Sequence, residues 1–132
     1  MKLVQIVAVA LVDVDGRVLL ASRPKGKHLE GMYEFPGGKI EVGETPESAL
    51  VRELKEELAI DVEESCLAPF TFVTHHYEEK SILLLLYLCR KWQGTPEPQE
   101  GQHLVWKTPR DMKSLPMPPA DIPLVAMLRD VL

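Results

Sequence analysis

Only two cysteines, Cys66 and Cys89, occur in the 132 residues, and neither falls in a CxxC or His-cluster spacing. That excludes a disulfide framework or a thiolate metal site as the organising device, so both read as reduced thiols in apolar surroundings, and a cytoplasmic location is expected. A surplus of positive charge is also missing. With 15 Lys and Arg against 20 Asp and Glu, the net charge is -5, and the field that draws long nucleic acids is absent, so no nucleic-acid polymer is expected as a partner. Long hydrophobic runs are lacking too. Residues 82–88 fall far short of the ~20 apolar residues a membrane helix needs, and residues 1–7 hold no apolar stretch ahead of a small-residue cleavage site. Neither a membrane span nor an export signal is expected. The length suits one domain with one respectable core, spanning residues 1–132, as a monomer or weak dimer.

What is present is a strand-rich chain with one conspicuous helix. Residues 6–14 are Val-, Ile-, Leu- and Ala-rich, Asp15-Gly16 makes a turn, and residues 17–21 complete the pattern of a hairpin. A mobile loop over residues 24–31 leads to the short extended piece 32–35, which Pro36-Gly37-Gly38 stops. Thr45-Pro46-Glu47 marks a helix start, with Thr45 as N-cap and Pro46 at the first helical position, and the helix is predicted to end near Leu58. Two further strands, within 66–77 and 81–92, flank the charged turn Glu78-Glu79-Lys80, and the second is apolar enough to be central. Residues 94–101 form a loop, 104–106 a short strand, and Leu124, Val125, Leu128 and Val131 recur at helical spacing.

On the helix, Glu53, Glu56 and Glu57 stand at i, i+3 and i+4 and so share one face. Carboxylates placed this closely repel, and Arg52 and Lys55 offset only part of the charge, which leaves a cation as the natural compensator. All-oxygen ligands favour Mg²⁺, with Mn²⁺ as substitute, over zinc. A Glu-rich helix face is usually just solvated. Context argues otherwise here, because Gly37-Gly38 permits close backbone approach and Glu41 and Glu44 add carboxylates beside the helix start. His75-His76 is set aside as a metal site, since neighbours on a strand point to opposite faces.

The spacing is specific: Gly38, five residues, Glu44, seven residues, Arg52-Glu53-Leu54, one residue, Glu56-Glu57, one residue, Ala59-Ile60. It resembles the Nudix box over 23 residues, departing only where Ala59 replaces a glycine. The likeness extends to the MutT-like branch through residues 16–23, 34–39 and 118–123. It implies an α/β fold, an α/β/α sandwich with a mixed central sheet and a Nudix loop-helix-loop. It further implies Mg²⁺-dependent hydrolysis of nucleoside triphosphates to monophosphate and pyrophosphate, with attack on the β-phosphorus. On this resemblance the Gly37 carbonyl, Glu53, Glu56, Glu57 and Glu100 would hold metal, and Arg52 would orient Glu53. Glu53 is the first choice for taking or steering the proton, with Glu44 and Glu100 as rivals.

Substrate contacts expected from the same resemblance are Arg23, His28, Phe35, Gly38, Lys39 and Asp121. Arg23 and Lys39 would neutralise phosphate oxygens, and Phe35 would stack on a base or simply pack. Asp121 stands where oxidised-guanine enzymes of this branch carry Asn. As an ionised acceptor it can receive hydrogen bonds from guanine N1–H and N2–H or from the cytosine N4 amine, or it can merely cap the last helix. The expected small-molecule substrate is therefore 8-oxo-dGTP, with CTP or modified cytidine triphosphates as the alternative. A nucleotide-sensing module without catalysis is the rival of another class.

Overall fold

The computed structural model describes residues 2–132. Strand β1 (Lys2–Leu11) is the spine of a four-stranded mixed sheet. It pairs in parallel with β6 (Lys80–Cys89) over its whole length and antiparallel with β4 (Gly37–Lys39), while β5 (Ala68–His76) closes the far edge against β6. Both neighbours of β1 are thus taken, and residues 7–11 are buried on both faces. This overturns the hairpin expected between residues 6–14 and 17–21. The turn at Asp15-Gly16 forms, closed by the Asp13 N–H donating to the Arg17 carbonyl at 2.9 Å, but pairing goes no further than the Val12–Val18 bridge, and β2 (Val18–Ser22) shares no ladder with β1. It instead centres a three-stranded antiparallel sheet with β3 (Tyr33–Glu34) and β7 (Leu104–Lys107). Two continuous apolar runs each demand a two-sided environment, which one exposed hairpin cannot supply.

The alternation of β1 divides the core. Val7, Val9 and Leu11 face one cluster with Leu50, Leu54 and Leu58 of helix α1 (Pro46–Leu58). Ala8, Ala10 and Val12 face the other, with Leu84 and Leu86 of β6, Met112 of the short helix α2 (Pro109–Met112), and Leu124 and Leu128 of α3 (Ile122–Arg129). Helices therefore cover both faces of the sheet, as the expected sandwich requires.

Helix α1 begins as its sequence dictates. Thr45 Oγ1 accepts from the Ser48 N–H at 3.1 Å and Ser48 Oγ accepts from the Thr45 N–H at 3.0 Å, a reciprocal capping box with Pro46 in the first turn. The helix ends at Ala59, which adopts left-handed φ 56° and ψ 34°. Burying three leucines contributes roughly 1.5–3 kcal/mol each, against a few tenths for each like-charged Glu pair. Packing therefore holds a helix that its charges alone oppose.

The extended piece ends before Pro36 as expected, but the glycines that follow open a new strand rather than a loop. Gly37-Gly38 is strand, and Gly37 sits opposite Ala8 so closely that a Cβ there would collide with the Val7 carbonyl. Glycine is used for close approach rather than to break the chain.

Candidate active site

The exposed end of β4 and the polar face of α1 meet at Gly38, where a Cβ would fall on the Glu53 carboxylate. Arg52 organises what lies around it. Its guanidinium forks onto Glu44, with Nε to Oε2 at 2.7 Å and Nη2 to Oε1 at 2.9 Å. Nη1 donates to Glu53 Oε1 at 2.9 Å and to Glu56 Oε2 at 3.4 Å, and Nη2 also donates to the Lys39 carbonyl at 3.2 Å. The fork geometry of Arg suits this planar, multi-carboxylate grip, which a lysine could not reproduce. The Glu44 carboxyl is consequently held down to about 2 by the Arg52 hydrogen bonds.

Deeper in, Glu57 accepts from the Gly37 N–H at 3.1 Å. Burial, followed by the charges of Glu53, Glu100 and Glu34, pushes its carboxyl up to about 8. Glu53 is raised as well, mainly by burial, against the pull of Arg52. Glu100 acts on both carboxyls and Glu53 on Glu57, so the three lie within one repulsive field. Glu100 arrives from a distant loop for a local reason. The last carbonyls of α1 need partners, and the loop supplies them: Gln99 N–H donates to the Glu57 carbonyl at 3.0 Å and Glu97 N–H to that of Leu58 at 3.0 Å. Gln102, buried and unnoticed in the sequence, adds its side-chain amide to the Glu57 carbonyl at 3.2 Å.

Among the described residues, no three carboxylates already converge on one point as a finished cage. Arg52 occupies Glu44, Glu53 and Glu56, and Gly37 occupies Glu57. The donor set still fits a hard divalent cation, being all oxygen and rich in negative charge, with the missing side chain of Gly38 giving the Glu53 carboxylate its place.

On the other side of Gly37 and Gly38 opens a cleft of ≈ 900 Å³. All six residues expected to touch substrate line it: Arg23, His28, Phe35, Gly38, Lys39 and Asp121. Their states differ. Arg23 Nε is paired with Glu34 Oε2 at 3.1 Å, whereas Lys39 and His28 are exposed. Phe35 is only 4% exposed and packs in the core under α3, so packing is the observed role.

Asp121 does not cap α3. Its backbone is already helical, its side chain makes no cap bond, and a carboxylate oxygen accepts from the Phe35 N–H at 3.4 Å instead. Burial, and secondarily the Glu34 charge, pushes it up to about 7. Sequence reasoning missed Glu34, Tyr77 and Lys80 on the cleft wall. Glu34 was visible as a charged residue at a strand end; the turn residues carried no signal, because only the fold brings the β5–β6 turn to the cleft that β1 and β4 also line.

A cleft walled by sheet and loops on one side of Gly37-Gly38, with a carboxylate-bearing helix on the other, is an arrangement suited to holding a polyphosphate and a cation together. A family model described as the NUDIX domain matches residues 7–127, and the chain belongs to that family, the Nudix hydrolases, which work with a divalent metal. It is 40% identical over 128 residues to a CTP pyrophosphohydrolase of Escherichia coli strain K12, covering 95% of this chain and 90% of that one. It is 35% identical over 129 residues to an 8-oxo-dGTP diphosphatase of the same strain, covering 98% of each. A solved MutT structure, from work on Aliivibrio salmonicida and Vibrio cholerae, superposes with a TM-score of 0.83 at 32% identity, over 99% of this chain and 100% of the other. Among the described residues, no helix is long and apolar enough to cross a membrane.

Proposed function

We propose that the protein hydrolyses (deoxy)nucleoside triphosphates to monophosphate and pyrophosphate with Mg²⁺, and that 8-oxo-dGTP is its leading substrate. The observation that carries this is the shared edge at Gly37-Gly38: the two glycines line a cleft of ≈ 900 Å³ and are at the same time the backbone against which Glu57 and Glu53 rest. A nucleoside held in the cleft would present its phosphates to that edge.

Gly37, Glu53, Glu56, Glu57 and Glu100 are the proposed ligands of the cation, and Mn²⁺ shares the required oxygen preference. When bound, such an ion neutralises phosphate charge and acidifies water. The chain's own contribution is positional. Arg52, anchored by Glu44, holds Glu53 against Gly38, where it takes or steers the proton of the attacking water, with Glu44 and Glu100 as the other candidates. Water oxygen bonds to the β-phosphorus, the bond from it to the α–β bridging oxygen breaks, and the monophosphate departs with that oxygen. Lys39, exposed at the same edge, supplies positive charge to the phosphates, and Arg23 supplies it with Glu34 as counter-ion.

Cytidine triphosphates are the second reading. A carboxylate at Asp121 suits an exocyclic amine, and the 40%-identical relative is named for CTP. A sensing module without catalysis fits less well, since a binder has no use for the Arg52 fork and its carboxylates. In this reading residues 1–132 act as one domain, a monomer or weak dimer working on free nucleotides in the cytoplasm.

The test is a panel of natural, oxidised and methylated triphosphates assayed for pyrophosphate release in excess Mg²⁺. Release from one or more, abolished by EDTA, is expected. No release from any of them would end the proposal.

A further inference from the structure

Among the described residues, three aromatic side chains line the cleft: His28, Phe35 and Tyr77. Phe35 is 4% exposed and its faces are committed to the core, while His28 lies exposed on a loop. Tyr77 is different. It is half-buried at the turn between β5 and β6, and its ring is held from several sides. The His75 ring meets it edge-on at 4.7 Å and 68°. Lys80 Nζ lies 5.9 Å from its centroid, and the Tyr77 N–H donates to the Lys80 carbonyl at 2.8 Å, closing the turn. An aromatic fixed in this way gives up little freedom on binding. Beside it, Ile6, Ile82 and Leu84 supply an apolar floor.

We propose that Tyr77 is the aromatic wall on which the substrate's base stacks, and that the base displaces the Lys80 ammonium from its ring, making the β5–β6 turn a determinant of base affinity. The exchange runs in the base's favour. An exposed cation–π contact is worth about 2- to 5-fold in affinity, whereas a base stacked on an aromatic ring is worth about 5- to 150-fold. The inference deepens the nucleotide-hydrolase reading and rests on it.

Tyr77→Leu and Lys80→Ala test it, with inorganic tripolyphosphate as the ligand that has no base. For Tyr77→Leu the expected result is a rise in KM of about 5-fold or more for nucleoside triphosphates. The effect should fall on KM rather than kcat, leave inhibition by tripolyphosphate unmoved, and be largely rescued in Tyr77→Phe. Lys80→Ala should move the other way: nucleotide affinity, taken relative to tripolyphosphate, should improve by about 2- to 5-fold. A structural role for the turn would not produce that gain, so the second variant decides the matter even where the first folds poorly. Wild-type KM values in Tyr77→Leu, or a loss of relative affinity in Lys80→Ala, would overturn the proposal. Should the wild type hydrolyse no triphosphate, the function fails separately. Binding of nucleoside monophosphates in EDTA then still judges Tyr77: weakened binding in Tyr77→Leu supports the wall, and equal binding, or no binding by the wild type, removes it.

Discussion

Asp121 shows a residue kept against the interest of stability. A carboxyl pushed up to about 7 by burial ionises less readily in the folded protein than in the unfolded chain, where it titrates near 3.8. Its penalty is therefore absent below that lower value, grows as the pH rises, and is complete above about 7. Among the described residues, Glu34 and Arg23 are the charged groups acting on it, and they oppose one another. Asp121→Asn should thus stabilise the protein at pH 8, on the order of a few kcal/mol, with the gain fading towards pH 4. Chemical denaturation at the two pH values measures this, and a gain independent of pH would refute the account. The same variant restores donor capacity at the base, so its kcat/KM ratio should shift toward 8-oxo-dGTP over CTP. Ala59 is a second residue under strain, left-handed at φ 56° where the Nudix pattern has glycine. Ala59→Gly should stabilise by about 1 kcal/mol without altering turnover, and an unchanged denaturation midpoint would show the strain to be absorbed elsewhere.

At the scale of elements, α1 was legible to the residue because its signals are local: the Thr45 cap, Pro46, and a leucine face that recurs every turn. The carboxylates on its polar face were legible for the same reason. Strand pairing was not. Whether β1 takes β2 or β6 as its neighbour depends on which apolar faces find cover, a property of the whole chain that Asp15-Gly16 does not encode. The four-residue helix α2 went unread, although Thr108-Pro109 repeats in miniature the start of α1. The cleft was half legible. Its residues in recognisable motifs were found, whereas Tyr77 and Lys80 reach it only through a hairpin whose packing the sequence leaves open. The polar face of α1 yields its own prediction. Glu53→Gln retains the shape of the side chain against Gly38 and the leucine face behind it, so folding should be unimpaired, with turnover reduced by about 10²-fold or more. A Tm near the wild-type value with residual activity above one-tenth would pass the proton-handling role to Glu44 or Glu100.

For the whole molecule, the concentration of negative charge at one end of α1 couples cation binding to folding. The charge of Glu100 favours protonation of both Glu53 and Glu57, and that of Glu53 does the same to Glu57, because they share a partly buried site, and unfolding separates them. A divalent cation that binds the folded site alone must then stabilise the fold by mass action, about 2.7 kcal/mol when present at a hundred times its Kd. For a chain of this size that corresponds to a rise in Tm of roughly 5–10 °C. The rise should saturate with Mg²⁺ and be reversed by EDTA. It should exceed anything produced by NaCl at equal ionic strength, since simple screening relieves repulsion without occupying a site. Gly38→Ala supplies the control, because its Cβ displaces the Glu53 carboxylate and should remove most of the Mg²⁺-dependent rise. Equal melting temperatures in Mg²⁺ and in matched NaCl would mean that these carboxylates are only a solvated helix face, and the metal-dependent reading of the site would fall with them.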